Sequence, residues 1–493
     1  MRLKIDKVTI YLLSVYVFNM VAIIGASVLM GSSQQGYLAI GCLSCIHVVC
    51  ALLLLRRAEG TIITISGIFV IFLYVFHMGQ FFLNVFCPNY VYAKTNFLEL
   101  VGAEKFFYSS VFSMAIITTI VIGIIWGNGF KTNQVVHTFL SKYRRRSLSY
   151  EFDKRKMIVV GWFLLFTTAP FHIRAAYGQI LLTSSGNYFD AFEYQISGTM
   201  YAYTQFMLVG ITLLMLGYAE KKIKLACVYL ITVAYFCWTM LSGGRGRAVI
   251  AIVFFTLLYL KLIKISLIKL VPFAIAGYVG LITLSIISVV RNEGAITLNV
   301  LLKGFENSGS PVLRALEEFG GTQYTMALTM ENIPSNFQYR FGSSYLLSLA
   351  SILPNVGGIF TEINNAAFFY NGYAQNYMGG SIIAEIYANF GYLFFIPAIL
   401  IGIFVSKFSN AFEKAVDKKR YLLIPFMTLL FTGTMWWVRD TVSSIWRNFI
   451  WAAVYLEILF KIYDELFGRR GRNEEDSYSN WDIKNRWCRK NHC

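Results

Sequence analysis

Five arginines lie at or near the ends of apolar segments, on the side of those segments that carries few other positive charges: Arg174, Arg245, Arg247, Arg291 and Arg439. A guanidinium group carries five donors in a planar fork that matches phosphate oxygens two at a time. Glycines surround Arg245 and Arg247, so backbone amides could approach a ligand at the start of a helix. Convergence of these two side chains requires a nonhelical glycine turn, because residues two apart on a helix diverge. The arginines predict a diphosphate site, unless each one only reaches water from a helix end.

A carboxylate inside an apolar segment is the second chemical feature. Spacing of four places Ser381, Glu385 and Asn389 on one stripe of a helix. An ionisable residue at membrane depth is costly, so it usually faces a cavity or a partner. We therefore predict that Glu385 faces a cavity and acts as a general base; the alternative is a structural pair with a buried arginine.

Glu317 and Glu318 form a second pair of candidate catalytic carboxylates. Arg314 lies three and four residues before them, so simple pairs on a helix surface are the alternative. Arg439 could likewise form a local ion pair with the adjacent Asp440. Several aromatic residues could stack on sugar rings or anchor the chain at the membrane interface. They are Tyr345, Tyr373, Tyr377, Trp436 and Trp437.

The composition is that of a membrane protein. Of the 493 residues, 57% are hydrophobic, 17% are aromatic and only 14% are charged. This is too little charge to coat soluble domains, since ordinary globular chains carry about a quarter charged residues. The eight cysteines mostly lie in apolar runs or a short tail, and no motif offers enough ligands for zinc. We expect no metal and no cofactor.

Apolar runs predict an all-α bundle of about twelve transmembrane helices. The predicted spans are residues 8–30, 37–55, 62–86, 106–126, 157–182, 200–219, 225–241, 248–260, 271–290, 381–404, 421–438 and 444–463. Most of the 43 basic residues fall on one side of these spans, which predicts that this side is cytoplasmic. The net charge of +17 is then a topology signal and a contact with anionic lipid. Nucleic-acid binding is not needed to explain it.

One connection on the opposite, extracytoplasmic side is long. We predict a single transmembrane domain over residues 1–463, with a large extracytoplasmic loop at 292–380 and a cytoplasmic tail of mixed charge at 464–493. The loop contains apolar and aromatic stretches broken by prolines and glycines, unlike a disordered linker. We expect amphipathic helices lying on the outer membrane surface, and a loop of this length usually has a function.

Four segments together resemble bacterial oligosaccharide repeat-unit polymerases of the Wzy type. They are the Ser-Gly-Gly-Arg-Gly-Arg motif at 242–247, Arg291-Asn292, the segment 339–354 and the helix start at 379–391. The similarity is one of pattern and topology over roughly residues 150–450.

The resemblance implies polymerisation of O-antigen, capsule or exopolysaccharide at the outer face of the inner membrane. The implied donor is an undecaprenyl-diphosphate-linked oligosaccharide, which moves as a block onto another lipid-linked repeat unit. Related ligases imply a helical architecture like that of C-type glycosyltransferases, metal-independent chemistry and arginines that bind the diphosphate. A chain-length regulator and a flippase are the protein partners that it implies.

Two other functions fit the same topology. A lipid-linked oligosaccharide flippase also has about twelve spans and a basic cavity, although the large loop and the lack of an obvious repeat between halves argue against it. A glycan ligase would transfer the finished glycan to another acceptor, and the sequence separates it poorly from a polymerase.

Overall fold

The computed structural model describes residues 7–92, 96–129, 150–184, 203–242, 245–264, 280, 282, 310–350, 352–353 and 379–490. These residues form sixteen α-helices and no strand. The helices are α1 Lys7–Met30, α2 Gln34–Glu59, α3 Ile65–Phe86, α4 Phe97–Val101, α5 Ala103–Gly129, α6 Tyr150–Ser184, α7 Phe206–Gly217, α8 Lys222–Thr239, α9 Arg245–Ile263, α10 Pro311–Phe319, α11 Thr322–Asn332, α12 Ser343–Ala350, α13 Ile382–Phe390, α14 Phe395–Asp417, α15 Ile424–Trp437 and α16 Ser443–Lys490. The all-helical prediction is confirmed for the described residues.

Eight of the described helices are long and apolar enough to cross a membrane. They are α1, α2, α3, α5, α6, α8, α9 and α14, taken with their flanking turns where these continue the helix. A helix satisfies its own backbone hydrogen bonds, which the hydrocarbon core demands. The chain is therefore a multi-pass membrane protein.

The predicted count of twelve spans is not confirmed. Helix α7 and the apolar helix Tyr421–Trp437 are shorter than a full span. Residues 444–463 lie within α16, and the predicted span at 271–290 falls almost wholly outside the described residues.

The predicted span at 381–404 is wrong, because the chain breaks in the middle of it. Helix α13 ends at Gly391, which has φ +52°, a left-handed conformation that favours glycine. A Cβ at this position would lie 2.6 Å from the Tyr339 ring. The membrane-spanning helix α14 begins only at Phe395. The short helix α13 is thereby freed to pack as a separate element.

The described part of the large loop packs into the bundle. Helix α11 is mostly buried and contacts α3, α5 and α13, which contradicts the expectation that it lies on the membrane surface. Helix α10 meets α3 where Gly320 faces Gly79, and a Cβ at Gly320 would lie 2.4 Å from the Gln80 amide nitrogen. Small residues permit this close approach. The contact brings Glu317 and Glu318 against the N-terminal helices.

Ion pairs between described residues gather at the two ends of the bundle. Three of them join segments predicted to be cytoplasmic: Lys154–Glu220, Lys156–Asp464 and Lys261–Glu413. Three others join segments predicted to be extracytoplasmic: Lys105–Glu331, Arg245–Glu318 and Arg314–Glu317. Each pair joins residues predicted on the same side, so the folded structure is consistent with the predicted topology.

Candidate functional site

Arg245 begins helix α9 and is buried, with 2% of its surface exposed. Its Nη1 donates to Glu318 Oε2 at 2.9 Å. Arg247 lies in the same first helical turn, so the predicted convergence of the two arginines in a nonhelical turn is wrong. Their side chains diverge, as residues two apart on a helix must.

Arg247 and Arg439 instead meet at Trp436. Their guanidinium carbons lie 4.9 Å and 5.1 Å from the Trp436 ring centroid. Gly246 leaves the room for this, because a Cβ there would come within 2.9 Å of Arg439 Nη1 and 3.0 Å of the Trp436 ring. We call Arg247 and Arg439 the arginine cluster. It gathers positive charge from α9 and from the turn between α15 and α16.

Asp440 supplies negative charge beside this cluster. It accepts hydrogen bonds from the Trp436 indole and, at 2.8 Å, from the Thr441 backbone amide. Burial raises the pKa of the Asp440 carboxyl above its ordinary value, while the Thr441 amide and the charges of Arg247 and Arg439 act in the opposite direction. No ion pair joins Arg439 to Asp440 among the described residues. The Asp440 carboxyl therefore lies where its negative charge can offset part of the positive charge of Arg247 and Arg439.

A pocket opens beside Arg247 between helices α7, α9, α15 and α16. Polar side chains line one part of the pocket. Aliphatic side chains from α7, α9 and α15 line the other part, each about one helical turn from a polar residue of the same helix or its N-cap. The lining residues are Gln205, Leu208, Arg247, Ile250, Leu429, Thr432, Gly433, Trp436 and Asn448. Polar and apolar lining around a guanidinium suits a ligand with a charged group and a sugar or lipid attached to it.

The two loop carboxylates have different surroundings. Glu317 is buried and accepts hydrogen bonds from the Tyr90 hydroxyl at 2.7 Å and from Arg314 Nη1 at 3.0 Å, so a pair of the predicted helix-surface type is present. The Glu318 side chain is 25% exposed and meets Arg245. Of the pair, Glu318 is the more exposed carboxylate.

Glu385 is buried, with 1% of its surface exposed. Its Oε2 accepts hydrogen bonds from the Trp437 indole at 2.6 Å and the Val442 amide at 3.1 Å, and its Oε1 accepts from the Ser344 hydroxyl at 3.2 Å. No ion pair between Glu385 and an arginine occurs within the described ranges. A buried carboxylate needs such donors, and most of its acceptor sites are used here.

The predicted polar stripe on α13 is confirmed. Ser381 caps the helix, accepting from the Ala384 amide at 3.2 Å. Asn389 donates to the Glu385 carbonyl and to the Ser344 hydroxyl, both at 2.8 Å. All three stripe residues are buried, and Glu385 and Asn389 tie α13 to Ser344 on α12 rather than line an open cavity.

The remaining sequence candidates do not join this site. Arg174 is exposed on α6, where it makes no ion pair with another described residue. Arg291, Tyr373 and Tyr377 lie outside the described residues. Trp437 is buried against Glu385.

Sequence reasoning missed the contribution of α3, which it treated as an apolar span only. His77 Nε2 donates to the Val438 carbonyl at 3.1 Å, and the Phe76 ring centroid lies 5.9 Å from the Arg439 guanidinium carbon. A histidine and a glutamine within an otherwise apolar span were the available signal: His77 and Gln80 are both buried, and Gln80 bonds the Glu317 carbonyl at 3.2 Å. Polar residues at membrane depth usually have a partner.

The comparisons with known proteins bear on the family of the chain. A family model described as O-antigen polysaccharide polymerase Wzy matches residues 8–463. No curated protein and no solved structure matches the chain. The matched residues cover most of the 493-residue chain and include every residue of the arginine cluster. The chain therefore belongs to the O-antigen polysaccharide polymerase Wzy family, and its function is the polymerisation of O-antigen repeat units.

Proposed function

We propose that the arginine cluster binds the diphosphate of an undecaprenyl-diphosphate-linked oligosaccharide at the outer face of the inner membrane. The donor glycan then moves as a block onto the end of another lipid-linked repeat unit. The observation that carries this proposal is the meeting of Arg247 and Arg439 at Trp436, beside a pocket. Two planar guanidinium groups there can hold phosphate oxygens in pairs.

The reaction places charge where these groups lie. The acceptor hydroxyl oxygen attacks the anomeric carbon of the donor sugar, and the bond from that carbon to the diphosphate oxygen breaks. Negative charge grows on the leaving undecaprenyl diphosphate. Fixed guanidinium groups beside the leaving diphosphate stabilise this charge more in the transition state than in the ground state. Arg247 and Arg439 would therefore stabilise the leaving diphosphate without a metal ion.

Glu318 is our candidate for the general base. Its carboxylate is partly exposed, whereas the side chains of Glu317 and Glu385 are almost completely buried. A base must come within hydrogen-bond reach of the acceptor hydroxyl to take its proton. In this proposal Arg245 orients Glu318, so the buried arginine supports the base while the other two arginines hold the donor.

The pocket beside Arg247 would take the donor atoms nearest the diphosphate. Gln205 and Asn448 carry amide groups that suit sugar hydroxyls, and the aliphatic lining suits the first isoprene units. Because the family assignment favours polymerisation over transport, delivery of the lipid-linked unit to the outer face belongs to a separate flippase. A chain-length regulator is the other partner that we propose.

A glycan ladder tests the proposed site. Arg247→Ala and Arg439→Ala should each abolish long glycan while the protein stays in the membrane at normal amounts. Each variant removes one of the two guanidinium groups that bind the diphosphate. Arg56→Ala is the matched control, since Arg56 is an exposed arginine on α2 in a segment predicted to be cytoplasmic. A normal ladder from both site variants would refute the diphosphate role. Ladder formation by purified protein should also survive a metal chelator.

A further inference from the structure

The turn that joins α15 to α16 carries Arg439, and contacts from three directions hold it. We call residues 437–442 the arginine turn. Glu385 on α13 accepts hydrogen bonds from both ends of this turn, at the Trp437 indole and the Val442 amide, on the same oxygen. One buried carboxylate oxygen therefore fixes the distance between the two ends.

Two other elements hold the middle of the arginine turn. His77 on α3 donates to the Val438 carbonyl at 3.1 Å. The backbone before α13 lies directly against Asp440, since a Cβ at Gly380 would come within 2.8 Å of the Asp440 carbonyl carbon. These contacts leave the turn little room to move, and Arg439 points from it toward Gly246.

We propose that Glu385 is a positioning residue that holds the arginine turn and so aims Arg439 at the donor diphosphate. This inference rests on the proposed donor site. It replaces the general-base role predicted for Glu385, because the carboxylate already accepts three hydrogen bonds from the protein and is almost completely buried. A carboxylate held in this way has no exposed oxygen to offer an acceptor hydroxyl.

The arrangement of donors makes Glu385→Gln a sharp test. Among the described residues, the two donors of the arginine turn, the Trp437 indole and the Val442 amide, bond Oε2, and the Ser344 hydroxyl bonds Oε1. A glutamine can place its carbonyl oxygen at the Oε2 position, and its amide nitrogen can donate to the Ser344 oxygen. The positioning role therefore predicts that Glu385→Gln keeps donor affinity and turnover within about threefold of wild type. A general base would lose roughly 10²–10⁴-fold in turnover.

A double-mutant cycle shows whether Glu385 acts through Arg439. Purified variants in nanodiscs would be titrated with an undecaprenyl-diphosphate-linked repeat unit. Glu385→Ala and Arg439→Ala should each weaken donor binding by roughly tenfold or more. The double variant should bind no more weakly than Arg439→Ala alone, because the two residues act as one unit. Trp437→Phe, which keeps the aromatic packing, should show the same coupling if Glu385→Ala fails to fold.

Glu59→Ala combined with Arg439→Ala is the matched control. Glu59 also accepts from protein donors, Asn128 at 3.1 Å and Ser409 at 3.4 Å, but near the start of α3. Ser409 also accepts from the Ser66 amide at the start of α3. Ser66 lies about 16 Å along the helix axis from His77, which contacts the arginine turn. The effects of this control pair should multiply.

The outcomes separate this inference from the function on which it rests. Multiplicative losses for Glu385→Ala and Arg439→Ala, or a turnover loss in Glu385→Gln with unchanged donor affinity, would overturn the positioning role alone. Normal donor affinity in Arg439→Ala would overturn the diphosphate site itself.

Discussion

Gly246 shows at the scale of one residue how this site makes room for two guanidinium groups. It is the second residue of helix α9. The Arg439 guanidinium and the Trp436 ring occupy the space that a Cβ would need. Because Gly246 has no side chain, Arg247 and Arg439 can both reach the Trp436 ring.

Gly246→Ala should therefore give a protein that still folds but makes shorter glycan. The added methyl group would meet the flexible end of Arg439 and the edge of the Trp436 ring, so the guanidinium must move. Thermal unfolding and the glycan ladder measure the two effects. Gly25→Ala is the control, because Gly25 lies in helix α1 with nothing within 4 Å of its would-be Cβ. A normal ladder from Gly246→Ala would contradict the close contact.

Residue types could be read from the sequence better than their partners could. Arginines at the ends of apolar segments indicated an anion site, and Arg247 and Arg439 do meet there. The partner of Arg245 could not be predicted, since Glu318 lies 73 residues away on a loop helix. The environment of Glu385 depends on Trp437 and Val442 in the same way. Spacing along a helix places residues on a face, but it does not identify what packs against that face.

At the scale of the element, Gly391 separates the short helix α13 from the spanning helix α14. Hydropathy alone joined them, because both sides of the break are apolar. Only a left-handed glycine beside the Tyr339 ring ends the first helix, and a tertiary contact of that kind leaves no trace in hydropathy. The helices of the large loop were predicted as amphipathic, yet α11 is buried on most of its surface.

Gly391→Ala should destabilise the protein, by about 1–3 kcal/mol for the strained backbone alone. The Cβ would also meet the Tyr339 ring at 2.6 Å, and that ring belongs to a packed aromatic group. A drop in the thermal unfolding temperature, together with less protein in the membrane, is the expected result. An unchanged unfolding temperature would mean that the break does not depend on the glycine.

At the scale of the whole molecule, the ion pairs agree with the predicted division of the segments between two sides. Basic residues predicted one cytoplasmic side, and each ion pair between described residues joins segments assigned to the same side. Pairing of this kind was not used to assign the sides, so it independently supports which segments share a side. The count of spans was harder to predict, because the apolar runs at 200–219 and 421–438 contain α7 and α15, which are shorter than a full span.

Reporter fusions test this orientation. Phosphatase fused after residue 150 should be inactive, and phosphatase fused after residue 330 should be active, because the first point is predicted to be cytoplasmic and the second extracytoplasmic. A cytoplasmic reporter at the same two points should give the reverse pattern and serves as the control. Active phosphatase at 150 would place the arginine cluster on the wrong face for polymerisation.

Recognition of a diphosphate by Arg247 and Arg439 is central to the proposed function. The most direct measurement is the affinity of purified protein in nanodiscs for one glycan carried on a lipid diphosphate or on a lipid monophosphate. Wild type should prefer the diphosphate by roughly tenfold or more, since charge-assisted hydrogen bonds contribute about 1.5–3 kcal/mol each. Replacing both arginines by lysine should remove most of that preference, because lysine lacks the bidentate fork. An undiminished preference in the double lysine variant would contradict the account.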